Sequence, residues 1–246
     1  MGEYDVVMSD ETNNDVPQFP RALSLIGNSH EASVNAALEW ITGQTKEGQS
    51  ILVVRPVKNS NVLNSYPQLK RFLQYRNVID ATPRTAPYYF DGPVLLLWPT
   101  REMLGQFSNC WTVTALCVAE WETEVSHPWA AAFDPEILNG TLEIEWPELD
   151  PVAKTAIEEM GTSSNLNNRF ISQDDKDVAV NGIKSLLAHG HELDSDIVYA
   201  HAMSLGWPGD AVDEFMNILK RLQSGVQVRT HSTFDHYDYW VNRTNE

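Results

Sequence analysis

Three arginines stand at or just past the ends of short apolar runs. Arg55 follows Ile51–Val54, Arg84 follows Val78–Ala81, and Arg101 follows Val94–Trp98. A guanidinium presents a planar fork of donors that matches phosphate and carboxylate groups. Thr100, beside Arg101, is a residue type that caps helices, and a helix N-terminus favours anions. If the apolar runs are parallel strands, all three arginines lie along the carboxyl edge, where open α/β sheets hold ligands. The chemistry expected is recognition of a small anion by Arg55, Arg84, Arg101 and Thr100. The competing reading is three ordinary solvent-facing arginines at element ends.

A further candidate is the loop after the first apolar run, Gly27-Asn28-Ser29-His30. Nucleotide folds place a phosphate-binding turn there, yet neither G-x-x-x-x-G-K-[ST] nor G-x-G-x-x-G occurs at this point. Ser29 is retained as a looser anion contact, against the plain alternative of a helix cap. His231, Asp235, His236 and Asp238 cluster near the C-terminus, but their spacing matches no zinc pattern. Cys110 and Cys117 accompany no local catalytic signature. No catalytic residue, metal or cofactor is assigned from the sequence.

The elements that must position these residues follow from periodicity. Ala22–Ile26 reads as a strand. Asn28 with Glu31 opens a helix carrying Val34, Ala37, Leu38 and Ile41 at i, i+3, i+4, i+7, which Gly43 can end. Ile51–Val54 is a strand buried on both faces, and residues 67–75 form a second helix. Strands follow at 78–81 and 93–98. Thr100 then caps a short helix holding Met103, Leu104 and Phe107, and a strand runs over 113–118. This alternation predicts an α/β fold, an open and mostly parallel sheet with flanking helices. Residues 120–150, acidic and rich in tryptophan, read as a linking region. Helical patterns at 152–160, 174–188, 195–205 and 211–223 predict a small all-α bundle. The expected divisions are a flexible acidic arm (1–20), an α/β domain with the linking region (21–150), a helical subdomain (151–225) and an aromatic tail (226–246).

Charge is unevenly distributed along the 246 residues. Residues 55–101 hold seven bases against two acids, while the whole chain carries a formal charge of −17. That acidity argues against broad nucleic-acid binding, which requires many phosphate contacts. The helices around Gly206-Trp207-Pro208-Gly209 superficially suggest helix-turn-helix, but Asp210, Asp213 and Glu214 would face phosphates. No apolar run is long enough to span a bilayer. The acid-rich start is the opposite of a signal peptide, so a cytoplasmic protein is expected.

The function expected is that of a non-catalytic binding or interaction protein. It would hold a small anionic ligand at the strand edge, or a protein partner through the helical subdomain or aromatic tail. The alternative is an enzyme acting on a phosphorylated or carboxylated metabolite at that same edge.

Overall fold

In a computed structural model of the chain, residues 16–27, 29–58, 60–87, 89–143 and 146–245 are described, residues 60 and 61 by backbone alone. Most of the expected arm, residues 1–15, and the expected cap Asn28 lie outside the described residues.

Six strands form one sheet: β1 (Arg21–Ser24), β2 (Ile51–Val54), β3 (Val78–Ala81), β4 (Gly92–Leu97), β5 (Val113–Ala119) and β6 (Glu136–Asn139). Their order is β3-β2-β4-β5-β1-β6, and every pairing is parallel. The apolar runs are explained by position, since β2 and β4 are interior strands with every residue buried. A strand covered by helices on both faces needs apolar side chains in both directions.

The chain winds both ways around this sheet. One face is covered by α1 (His30–Gly43) and, beyond the short α2 (Ser60–Asn64), by α3 (Pro67–Phe72). There Val34, Ala37, Ile41 and Leu69 pack on Val53, Leu95 and Cys117. The other face is covered by α4 (Arg101–Ser108) and α5 (Thr123–Phe133), whose Met103, Leu104, Phe107 and Trp129 pack on Leu52, Leu96 and Val118. Neighbours β2 and β4 therefore send their chains to opposite faces, as do β1 and β5. Each such reversal leaves a crevice at the carboxyl edge.

The stretch read as a linking region is built into this domain. It supplies α5, with Trp129 fully buried and donating to Ser108 Oγ at 2.7 Å, and the edge strand β6.

A second core lies in the helical C-terminal region: α6 (Pro151–Thr162), a 3₁₀ turn at Leu166–Asn168, α7 (Gln173–Ala188), α8 (Ser195–Ser204), α9 (Gly209–Gln223) and α10 (Tyr237–Thr244). Asp150, Ser172 and Asp194 cap α6, α7 and α8 by accepting from free backbone N–H groups of the first turn. Apolar residues at helical spacing, among them Phe215, Ile218 and Leu219, meet Trp207, Phe170 and Tyr199 inside. The aromatic tail docks on this body. The buried carboxylate of Asp177 accepts from His231 N, Ser232 N and Ser232 Oγ, and Trp240 of α10 is buried. Although burial pushes the Asp177 carboxyl up, donors from Ser232, Gln173 and His231 bring it below its ordinary range. No helix among the described residues is long and apolar enough to cross a membrane.

Candidate functional site

The residues leaving β2, β4 and β5 build a cavity at the carboxyl edge. Trp98, directly after β4, adopts a left-handed backbone with φ 54°. That conformation is costly for a bulky residue and persists only where its surroundings impose it. Here Trp98 N donates to Ala119 O at 2.9 Å. Its ring lies between Tyr66 and Trp121, with centroids 5.2 and 5.9 Å away. Trp121 in turn stands 4.7 Å from the His30 ring. Four rings thus run across the strand ends.

The cavity beneath this row has a volume of about 670 Å³, and its walls include Val57, Tyr66, Trp98, Trp121, Thr100 and Arg101. Val57 is 64% exposed and Trp121 49% exposed, so apolar surface is open to solvent at the rim. Aromatic walls of this kind suit a flat apolar group. Burial, and then Glu31, push the Tyr66 hydroxyl up from its ordinary value.

The structure separates the residues expected to share an anion site. Thr100 and Arg101 both line the cavity. Thr100 is the N-cap of α4, its Oγ1 accepting from Met103 N. Arg101 Nη2 donates to Glu124 O at 3.0 Å and pairs with Asp196, and its Cζ stands 5.0 Å from the Tyr199 ring centre. Arg55 does not line the cavity. It is 3% exposed and clasps Asp80 with two bonds, Nε at 2.8 Å and Nη2 at 2.7 Å. Arg84 is exposed in the turn after β3, at the outer end of the sheet. Ser29 caps α1 by accepting from Ala32 N.

A second, smaller crevice of about 370 Å³ lies past the ends of β1, β5 and β6. Its walls include Glu120, 4% exposed, whose Oε1 is 3.2 Å from His127 Nε2 and accepts from Ser126 Oγ at 2.5 Å. Glu120 Oε2 accepts from Ile26 N. The loop after β1, the place of a phosphate turn in nucleotide folds, thus already donates to an internal carboxylate. A phosphate there would meet Glu120 at close quarters.

Residues 149–244 match a protein family described as a domain of unknown function (DUF1889). The matched span is close to that of the helical core, which runs from Leu149 to Trp240. No curated protein and no solved structure matches the chain.

Sequence reasoning fixed on charge and passed over Trp98, Trp121, Glu120 and His127. For Trp98 and Glu120 the available signal was the same one that selected the arginines, position immediately past a buried strand; His127 lies inside α5 and carried none. Asp196 carried no such signal, being 95 residues from Arg101.

Proposed function

We propose that the chain is a binding protein whose carboxyl-edge cavity takes a small planar ligand bearing an anionic group. The observation that supports this most directly is the meeting, in one cavity, of the Tyr66, Trp98 and Trp121 rings with Thr100 and Arg101. The rings offer flat apolar walls, and the first turn of α4 and the guanidinium offer donors for the anion. Backbone strain at Trp98 fits this reading, because such strain clusters at ligand clamps.

The test is a thermal-shift screen with nucleotides, aryl carboxylates and sugar phosphates, followed by titration of tryptophan fluorescence. Nucleotides or aryl carboxylates should stabilise the protein, and Trp121→Ala, which removes one aromatic wall of the cavity, should weaken the effect. Stabilisation by none of them, or stabilisation that Trp121→Ala leaves intact, would refute the reading.

A second reading, an enzyme acting on a phosphorylated or carboxylated metabolite, is favoured by the Glu120–His127 pair in the neighbouring crevice. A carboxylate that orients an imidazole is an arrangement used in general acid–base catalysis. On that reading, His127→Gln removes turnover of a ligand found in the screen and leaves its affinity unchanged. A ligand that is bound but never turned over decides for the first reading.

A further inference from the structure

Aromatic side chains gather at a second place, where the tail lies on the helical body. Phe234 and His236 precede α10, and Tyr239 and Trp240 belong to it. All four line a cavity of about 270 Å³, whose other walls include Glu159 of α6 and Ser163, the residue that caps the end of that helix. The His236 ring centre is 4.8 Å from that of Phe234 and 6.3 Å from that of Trp240. Trp240 is 3% exposed and anchors the tail, whereas Tyr239 is 47% exposed and His236 is exposed as well. Anchoring requires the first of these rings and leaves the other two unexplained.

The chemistry of the walls points to the charge of an occupant. Aromatic faces attract cations. Glu159 supplies a carboxylate, and among the described residues no lysine or arginine lines the cavity. Asp235 and Asp238 stand close to His236 in the chain. Arg243 lies behind the wall, its Nη1 3.0 Å from Glu159 Oε1 and donating to the Tyr239 hydroxyl at 2.9 Å. A primary ammonium brings three N–H donors that need acceptors, and this wall is built mostly of rings. A quaternary ammonium has no N–H to satisfy. We propose that the cavity binds a small molecule bearing a quaternary ammonium group, with its methyl groups against the rings and Glu159 as counter-ion. The volume is at the lower end for ligand sites, so the occupant is a head group with a short stem. No lining residue is shared with the carboxyl-edge cavity, and the site stands independently of the reading given to that cavity. It lies wholly within the residues that match the family of unknown function.

The experiment titrates the full chain with choline and with dimethylbutanol, its uncharged isostere in which carbon replaces nitrogen, following the broadening of the probes' methyl proton signals. Choline should bind, and the alcohol should bind about tenfold more weakly, the scale of a cation–π contact partly shielded from water. Tyr239→Leu removes a ring and keeps an apolar side chain, so it should weaken choline about fivefold and leave the alcohol within about twofold. Glu159→Gln should weaken choline as well. Arg243→Gln should strengthen it, because the carboxylate then loses a competing cation. Trp121→Ala, at the other cavity, should leave choline unchanged.

Absence of choline binding would overturn the proposal. So would an alcohol that binds as tightly as choline, because the cavity would then recognise shape without charge. Choline binding that Tyr239→Leu leaves intact, or that Trp121→Ala removes, would place the cation elsewhere. The two partners of the ion pair give a further test. If Glu159 and Arg243 serve only stability, their substitutions shift choline binding in the same direction, and that outcome too would overturn the role of Glu159 as counter-ion.

Discussion

Gly105 of α4 and Gly209 of α9 cross with no side chain between them. A Cβ placed on Gly209 would lie 2.0 Å from the Gly105 Cα, and one on Gly105 would lie 2.7 Å from the Gly209 Cα. Contact this close joins the α/β domain to the helical region one turn along from Arg101. Asn109 secures the same junction, its Nδ2 donating to Met203 O and Trp207 O at 3.3 and 3.0 Å. The reach from Arg101 to Asp196 depends on that fixed crossing.

Gly209→Ala should therefore destabilise the protein by about 1–3 kcal/mol, the usual cost of overpacking, despite alanine's better helix propensity. Gly105→Ala should behave likewise. Gly43, at the end of α1, has nothing within 4 Å of the place its methyl group would take, so Gly43→Ala should instead stabilise by a few tenths of a kcal/mol up to about 1. Urea denaturation of the three variants checks the contrast. Equal effects at positions 43 and 209 would contradict the close crossing.

The Arg55–Asp80 pair predicts an asymmetry. The Arg55 side chain is 4% exposed and that of Asp80 is 24% exposed. Removing the carboxylate leaves a buried guanidinium uncompensated, so Asp80→Ala should cost about 3–5 kcal/mol. Arg55→Ala leaves a carboxylate that still reaches water and should cost less, about 2 kcal/mol. In a double-mutant cycle the combined loss should fall well short of the sum. Denaturation midpoints give the energies.

The parts of the fold legible in the sequence are those where burial alone dictates residue type. Leu52, Val53 and Leu95 lie in strands covered on both faces, and Phe215, Ile218 and Leu219 repeat at helical spacing. The missed elements mix signals. Within α5 stands Pro128, which argues against a helix, and β6 is an edge strand that opens with Glu136 and closes with Asn139. The carboxyl edge was legible as a place, because strand ends can be counted. Its chemistry was less so, since the partners that decide what each arginine does are distant in sequence. Asp80 reaches Arg55 only through the β2–β3 register that sets Val53 opposite Asp80, and Asp196 reaches Arg101 only through packing of the two halves.

Docking of the tail predicts a second stability change. Asp177 accepts from three donors of residues 231 and 232 and from Gln173 Nε2 at 2.6 Å. Asp177→Asn replaces a carboxylate oxygen with an amide that donates toward other donors, a loss of about 1–3 kcal/mol. Limited proteolysis should then cut within residues 226–245 faster, and Trp240 emission should shift to the red. In the unaltered protein the lowered carboxyl contributes stability above an unfolded-state value of about 3.9. That contribution is lost as pH falls through the lower folded value, so acid should release the tail.

Asp213 predicts a pH dependence of the opposite sign. Burial, followed by the nearby charges of Glu102 and Asp210, pushes its carboxyl up to about 6, with Arg101 opposing them. Between the unfolded value of about 3.9 and the folded value, the folded protein binds more protons than the unfolded one. Stability from this group therefore falls as pH rises through that window, and the deficit is complete above about pH 6. Asp213→Asn removes the charge and keeps the shape. Because the side chain is partly exposed, its gain at neutral pH should be about 1 kcal/mol after allowance for solvent screening. The gain should vanish below about pH 4, where the carboxyl is protonated in both states. Urea denaturation of both proteins across this range reads the difference. A stability gain that stays constant with pH would mean that packing, and not the Asp213 charge, sets the effect.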